Sequence, residues 1–316
     1  MSQLDIKVLK FGSSALPSAE HLHLVVHEIF RWWRQGKKVV AVVSAMGNTT
    51  DNLLKKAHLA NPQQDDEALA ELLATGESET VALLNLALVK AGIPSRPVDA
   101  TRLGIQTEGS LLDATPIGLN VDPLLKRLES RPVLVVPGFV GQHADGRLSL
   151  LGRGGSDLSA LFLAHHLNIS SVHSPQKVNA SCRLLKDVPG LFAWDPALPG
   201  PKPDRYSHIR FDDADKIDGQ VLQKKALHFA TTHDFGFEVG RCGEHLHTLV
   251  GEERTICIPQ LNPPSPLRVS LLGLGTVGSG VYHYLQSQSD KFEIADVFVR
   301  NLEKNRDVDV ESTLLK

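Results

Sequence analysis

The sequence predicts an α/β fold, a mostly parallel sheet held between helix layers, and three observations carry that prediction. Short, continuously apolar runs, residues 38–44 (KVVAVVS) and 131–137 (RPVLVVP), read as strands buried on both faces. Segments with helical periodicity alternate with them. Glycine-rich turns fall where a strand hands over to a helix, the order that builds parallel sheets.

Taken in order, residues 6–11 read as a strand ending in Gly12-Ser13-Ser14. Residues 18–35 follow as a helix with Leu22, Val25, Val26, Ile29 and Phe30 on one face. After the strand at 38–44, residues 51–59 and 67–91 read as helices, with Thr49 or Thr50 placed to cap the first. The strand at 131–137 precedes a helix at 156–167 that begins directly behind a glycine-rich turn. Residues 196–204 (PALPGPKPD) are too rich in Pro and Gly for helix or central strand. Residues 259–266 (PQLNPPSP) have linker composition, and a new strand follows at 267–272. The boundaries are therefore drawn at 1–258 for the first domain, 259–266 for the linker and 267–316 for a second segment.

Composition excludes several classes. The 316 residues carry a net charge of −3 with no concentrated basic segment, which argues against a nucleic-acid or anionic membrane surface. Cys182, Cys242 and Cys257 are odd in number and widely spaced, as in a reducing compartment. No Cys, His or carboxylate set has metal-ligand spacing, so no metal site is expected. The N-terminus lacks a signal-peptide pattern, and no run reaches the ~20 apolar residues of a membrane span. The expectation is a soluble, cytoplasmic protein.

Four stretches carry the chemical signal. Lys10-Phe11-Gly12-Ser13-Ser14 puts an ammonium and a glycine turn at a strand end, as around a phosphate. Residues 43–51 (VSAMGNTTD) join a buried strand to a helix at the sheet's carboxyl end, where open α/β sheets bind ligands. Residues 152–157 (GRGGSD) let backbone approach an anion at a helix N-terminus, with an arginine suited to a carboxylate. Residues 185–192 (LKDVPGLF) read as a strand running into a Pro-Gly turn, with an acid and a base at the bend.

Together and in this order, these stretches resemble the aspartate kinases of the amino-acid-kinase family. KFGSSA is similar to the family's K-F-G-G-T-S, VVSAMGNTTD to V-V-S-A-M-G-x-T-T-D, and LGRGGSDLSA to L-G-R-G-G-S-D-x-T-A. Gly76-Glu77 in a long helix, Gly138-Phe139-Val140-Gly141 and KDVPGLFAWDP have counterparts as well, and the resemblance spans roughly residues 5–250. It implies the amino-acid-kinase fold, a three-layer αβα sandwich. It also implies transfer of the γ-phosphoryl of ATP, with Mg2+, to the β-carboxylate of L-aspartate, and a homodimer. By the same resemblance Lys10 and Asp157 are catalytic, and Ser44, Thr49, Glu77, Arg153 and Ser156 bind substrate. Gly12, Ser13, Gly154, Gly155, Lys186 and Asp187 bind the nucleotide, with amides of the four small residues on phosphate oxygens.

The chain departs from the family pattern chiefly on the nucleotide side. Ser13 replaces a glycine, Lys186 a threonine, Pro189 an aspartate and Gln220 a nucleotide-contacting lysine, and about ten extra residues lie between Leu167 and Lys186. Lys186, Lys224 and Lys225 are the candidates to supply the lost charge. Two other readings stand beside the leading one. The first is a degenerate kinase domain serving as a ligand-binding or dimerising module of a homoserine dehydrogenase. The second is a kinase for a different carboxylate, such as glutamate. The ACT modules that usually follow such a kinase domain are not expected, since fewer than twenty residues separate its last strand, near Leu249, from the next segment.

That next segment contains Gly273, Gly275 and Gly278 as G-x-G-x-x-G directly after a strand, and GLGTVGSGV resembles homoserine dehydrogenases. The resemblance implies the start of a Rossmann unit for NAD(P), in a truncated relative of the bifunctional aspartokinase–homoserine dehydrogenases.

Overall fold

The computed structural model describes residues 3–63, 65–170, 177–198, 203–217, 221–259, 266–302, 308, 310 and 314–316. The chain divides into two compact units, Met1–Ile258 and Pro259–Lys316.

The first unit opens with β1 (Leu4–Phe11), α1 (Leu22–Arg34), β2 (Lys38–Val43), α2 (Thr49–Ala60) and α3 (Asp66–Lys90). It continues through β3 (Ser95–Pro97), α4 (Ala100–Leu103), β4 (Ile105–Glu108), β5 (Thr115–Leu119), α5 (Asp122–Ser130), β6 (Val133–Pro137), β7 (Val140–His143) and β8 (Leu148–Leu150). The second half holds α6 (Gly155–Ser170), β9 (Val178–Lys186), β10 (Arg205–Arg210), α7 (Phe211–Ala214), α8 (Lys224–Thr232), β11 (Phe237–Arg241), β12 (His247–Gly251) and β13 (Ile256–Ile258).

A nine-stranded sheet runs in the order β13-β10-β12-β11-β9-β1-β2-β6-β3. Every pairing from β11 to β3 is parallel, and the antiparallel pairs, β10 with β13 and β11 with β12, lie toward one edge. Strand alternation divides the core into two layers. Ile6, Val8, Val40, Val42, Leu134 and Val136 face a cluster with α5, α6 and α8. Leu9, Phe11, Val39, Ala41, Val43, Val133 and Val135 face α1 and α3. The α/β class with a mostly parallel sheet is thus as expected, with helices covering both faces.

Local corrections have local causes. The first helix begins at Leu22 after a 3-10 turn at Ala19–His21, so the predicted start at residue 18 is early. The N-cap of α2 is Asn48, not Thr49 or Thr50, and it makes no side-chain cap bond. By length and composition α3 is apolar enough to cross a membrane, more than the sequence reading allowed. Here its apolar stripe is spent inside the fold: Leu69, Leu73, Val81, Leu84 and Leu88 are all buried.

A second sheet, β5-β4-β7-β8, was not foreseen. Its strands have three to five residues and mixed polarity, too short for a period-2 signal. It matters for the site, because Val140 and Leu150 form a satellite core with Leu69, Ala70, Leu73 and Ala74 of α3. Where α2 approaches α3, Gly76 leaves no room for a side chain: a Cβ there would lie 2.9 Å from the Ala45 Cβ and 3.3 Å from Cγ2 of Thr49.

The second unit contains β14 (Leu267–Leu272), α9 (Thr276–Ser287) and β15 (Phe292–Phe298), with the two strands parallel. Tyr282 and Val297 anchor its small core with Leu274 and Val308. Gly273 takes φ +97°, Gly275 is the N-cap of α9, and Gly278 lies in its first turn.

Candidate active site

A cavity of about 1740 Å³ opens at the carboxyl ends of β1, β2 and β9, facing the start of α6. Strand ends and a helix N-terminus meet there, so backbone dipoles favour an anion.

Asp157, in the first turn of α6, sits at the centre and is almost fully buried. The Nζ of Lys10 lies 2.6 Å from its Oδ1, and the Nζ of Lys186 lies 2.6 Å from its Oδ2. Burial alone would raise the Asp157 pKa, but the two ammonium groups outweigh it and hold the carboxyl at about 2. Burial pushes the Lys10 pKa below the usual lysine range, and the Asp157 charge offsets part of that. Within this cluster two cations share one anion.

Glycine turns shape this wall. In the turn after β1, the amides of Ala15 and Leu16 donate to the Gly12 carbonyl at 3.0 and 2.9 Å. Gly12 and Ser13 line the cavity, and the Ser13 side chain is exposed. Gly154 takes φ +79°, and a Cβ there would meet Gln223 at 2.4 Å, so a side chain is barred on both counts. Gly155 also lines the cavity, and its amide donates to the Gly152 carbonyl at 2.9 Å, closing the turn.

From α3, Glu77 projects with Oε1 accepting the Ala45 amide at 3.0 Å. Its Oε2 is buried with no hydrogen-bond partner among the described residues, and burial raises the Glu77 pKa to about 7. Ser44, Arg153 and Ser156 also line the cavity. Arg153 is exposed and has no ion pair or hydrogen bond among the described residues. Thr49 does not join them. Its methyl group faces Gly76, and the neighbours that reach the cavity are Thr50 and Asp51.

Just beyond the end of β9, Asp187 lines the cavity and its carbonyl accepts from Arg241 Nε at 2.6 Å. Beyond it stand Phe192, Trp194, Tyr206, Ile217 and Val221, a largely apolar wall that sequence reasoning missed. Phe139 was quoted only as part of a motif; it too lines the cavity, with φ +70°. Gln220 lies outside the described residues, as does part of the segment between Leu167 and Lys186. Among the lysines proposed to replace its charge, Lys225 pairs with Asp113 and donates to the Leu151 carbonyl at 3.3 Å. Lys224 is not a lining residue, whereas Lys186 is. Among the described residues, no group of three or more His, Cys, Asp or Glu side chains is placed to hold a metal ion.

The sequence pattern of the amino acid kinase family matches residues 5–231. The chain belongs to the amino acid kinase family. Among curated relatives, the aspartokinase of Thermus thermophilus is 32% identical over 230 residues, 72% of this chain and 54% of that protein. Aspartokinase 2 of Bacillus subtilis is 31% identical over 256 residues, 80% of this chain and 60% of that protein. The chain therefore spans little more than half the length of these relatives. Among solved structures, the aspartate kinase of Synechocystis superposes with a TM-score of 0.65 at 29% identity, covering 78% of this chain and 40% of that one. Aspartokinase III of E. coli, solved with aspartate and ADP, shares the fold with a TM-score of 0.63 at 20% identity, covering 79% of this chain and 65% of that one.

Proposed function

We propose that the first unit is an aspartate kinase domain that transfers the γ-phosphoryl of MgATP to the β-carboxylate of L-aspartate, giving 4-phospho-L-aspartate. The observation that carries the reading is the Lys10–Asp157–Lys186 cluster beside glycine turns and a helix N-terminus, with the half-satisfied Glu77 carboxylate lining the same cavity.

Phosphoryl transfer between two anions needs positioning and charge neutralisation more than covalent help. The turns at Gly12-Ser13 and Gly154 accommodate the phosphates, and Lys10 supplies positive charge at the transferring group. Arg153 suits the α-carboxylate of aspartate, since its fork of N–H donors has no partner to displace among the described residues. Glu77 Oε2 suits the α-ammonium, and Ser44 and Ser156 supply hydroxyls. A β-carboxylate oxygen then attacks the γ-phosphorus, and the bond to the β–γ bridging oxygen breaks to release ADP. The nucleophile is already ionised, so no general base is required. Both Asp157 oxygens lie 2.6 Å from ammonium groups, so in this arrangement Asp157 holds lysines rather than a metal ion. Mg2+ enters as part of MgATP and neutralises phosphate charge. The Trp194 and Tyr206 wall suits the base.

A coupled assay of ADP release tests this reading. L-aspartate should support turnover and L-glutamate should not. Turnover with glutamate alone would move the domain to another carboxylate, and aspartate binding without turnover would make it a regulatory module. The reading includes a homodimer, checked by light scattering. For the second unit we propose a dinucleotide-binding segment of the homoserine dehydrogenase type, with Gly273, Gly275 and Gly278 against the pyrophosphate of NAD(P). NADPH fluorescence titration of the chain, against a Gly275→Asp variant, tests it.

A further inference from the structure

The turn that carries Arg153 is clamped by two charged side chains that do not themselves line the cavity, Asp113 and Lys225. Gly152 and Gly154 take φ +70° and +79°, so Arg153 sits between two left-handed residues. Asp113 and Lys225 form an ion pair over Gly152: a Cβ there would collide with the Asp113 carboxylate and lie 3.1 Å from Lys225 Nζ. Gln223 covers Gly154 in the same way. The two charged residues come from distant segments. Asp113 lies in the connection from β4 to β5, which is tied to β8: the Ala114 amide donates to the Leu150 carbonyl at 2.7 Å, and the Leu150 amide to the Leu111 carbonyl at 2.6 Å. Lys225 lies in the first turn of α8, and its Nζ also donates to the Leu151 carbonyl at 3.3 Å, one residue before Gly152.

We infer that Asp113 and Lys225 are positioning residues: their ion pair clasps Gly152 and sets the direction from which Arg153 meets the carboxylate of the amino-acid substrate. The inference rests on the substrate role proposed for Arg153 above and deepens it. Arg153 is exposed and has no ion pair or hydrogen bond among the described residues, so the backbone of its turn fixes where its guanidinium starts. Two glycines make that backbone permissive, and a permissive loop loses conformational freedom when a ligand orders it. A clasp anchored on β8's neighbouring connection and on α8 removes that loss before the substrate arrives. The pair's side chains are 61% and 41% exposed, and such a pair adds little to stability. Its place over Gly152, joined to the carbonyl before it, is what gives it an effect on the site. The clasp therefore acts on how well the substrate is held, and less on the chemical step.

Steady-state kinetics of the full chain separate positioning from stability. Asp113→Asn and Lys225→Met break the pair without adding bulk, and Lys225→Arg keeps the charge. We expect each of the first two to raise the KM for L-aspartate about 5-fold, near the most that one exposed ion pair can contribute. Their kcat should stay within about 2-fold of the parent and their melting temperature within about 4 °C. Lys225→Arg should keep KM within about 2-fold of the parent. The double variant should raise KM no further than either single one. In an Arg153→Gln background, Lys225→Met should change kcat/KM by less than about 2-fold, because the clasp acts through Arg153. A KM within about 2-fold of the parent in both single variants, or an undiminished penalty in the Arg153→Gln background, would overturn the inference. If Lys225→Met does not fold, Asp113→Asn carries the same readouts. If the parent uses L-glutamate in place of L-aspartate and the variants raise its KM by the same factor, the substrate reading fails and the clasp stands. If the parent binds L-aspartate without turnover, and isothermal titration shows the same factor in Kd, the kinase reading fails and the clasp stands. A parent that binds neither amino acid sinks both.

Discussion

The backbone amide of Ala45 donates to Oε1 of Glu77 at 3.0 Å, while Oε2 of the same carboxylate is buried with no hydrogen-bond partner among the described residues. Burial dominates and raises the Glu77 pKa to about 7, against the Ala45 bond and the Lys10 charge. A carboxylate must be ionised to receive an ammonium group. The KM for L-aspartate should therefore rise as pH falls below about 7, with kcat changing less, and Glu77→Gln should lose that dependence and bind aspartate poorly. The stability consequence has the opposite direction. The folded pKa lies above the unfolded value of 4.5, so the contribution of Glu77 is fully present below 4.5 and is lost as pH rises through about 7. Ligand-free Glu77→Gln should therefore melt higher than the parent at pH 8, by on the order of 3 kcal/mol at most, and by little at pH 5.

Replacing Asp157 by Asn should both inactivate and destabilise the domain. The substitution leaves Lys10 and Lys186 facing each other in a buried site without an anion, at a cost of about 3–5 kcal/mol. Because the folded pKa is depressed to about 2, the stabilising contribution of Asp157 is present above 3.8 and disappears as pH falls through about 2. Urea melts at pH 7 should show the full deficit of the variant, and melts of the parent at pH 4 should show no loss assignable to this group.

Gly76→Ala sets local propensity against packing. Alanine in a helix interior is worth about 1 kcal/mol over glycine. Here its Cβ would come within 2.9 Å of the Ala45 Cβ, so the loop carrying Ser44 and Ala45 must shift. The expected outcome is no gain in melting temperature together with a raised KM for aspartate, since the Ala45–Glu77 bond lies in the displaced loop. A variant more stable than the parent with unchanged KM would show that the loop yields freely.

His165 sits in a ring cluster, 4.6 Å from His233 and 5.5 Å from His166 between centroids, with Phe229 and Phe235 beside it. Burial first, then the neighbouring imidazoles, lower its pKa to about 4. The unfolded chain takes up this proton near 6.5 and the folded chain does not, so stability falls as pH drops from about 6.5 to 4. Thermal melts across that range should show the decline, and His165→Leu should flatten it. Glu77 acts with the opposite sign over overlapping pH, so the two dependences are separated by comparing the single variants.

Much of the fold and site could be read in the sequence where the signal is local. The strand at 38–44 announces itself by unbroken apolar residues, and Gly152-Arg153-Gly154-Gly155 by a glycine density that an ordinary turn does not need. What could not be read depends on long-range register. The four short strands of the second sheet, whose Val140 and Leu150 pack on α3, have no periodicity of their own. That Lys186, not Lys225, meets Asp157 follows from the pairing of β1 with β9, which residues 29 positions apart in sequence do not disclose. Thr49 stays out of the cavity for a related reason. A motif names residues, but whether a side chain turns toward α3 or an amide closes its own turn is decided by packing around it.

An ATP site and an aspartate site that work together predict one joint behaviour. In isothermal titration with and without L-aspartate, combined with coupled detection of ADP release, MgATP should bind and turnover should require aspartate. Aspartate binding with neither ATP binding nor ADP release would contradict this.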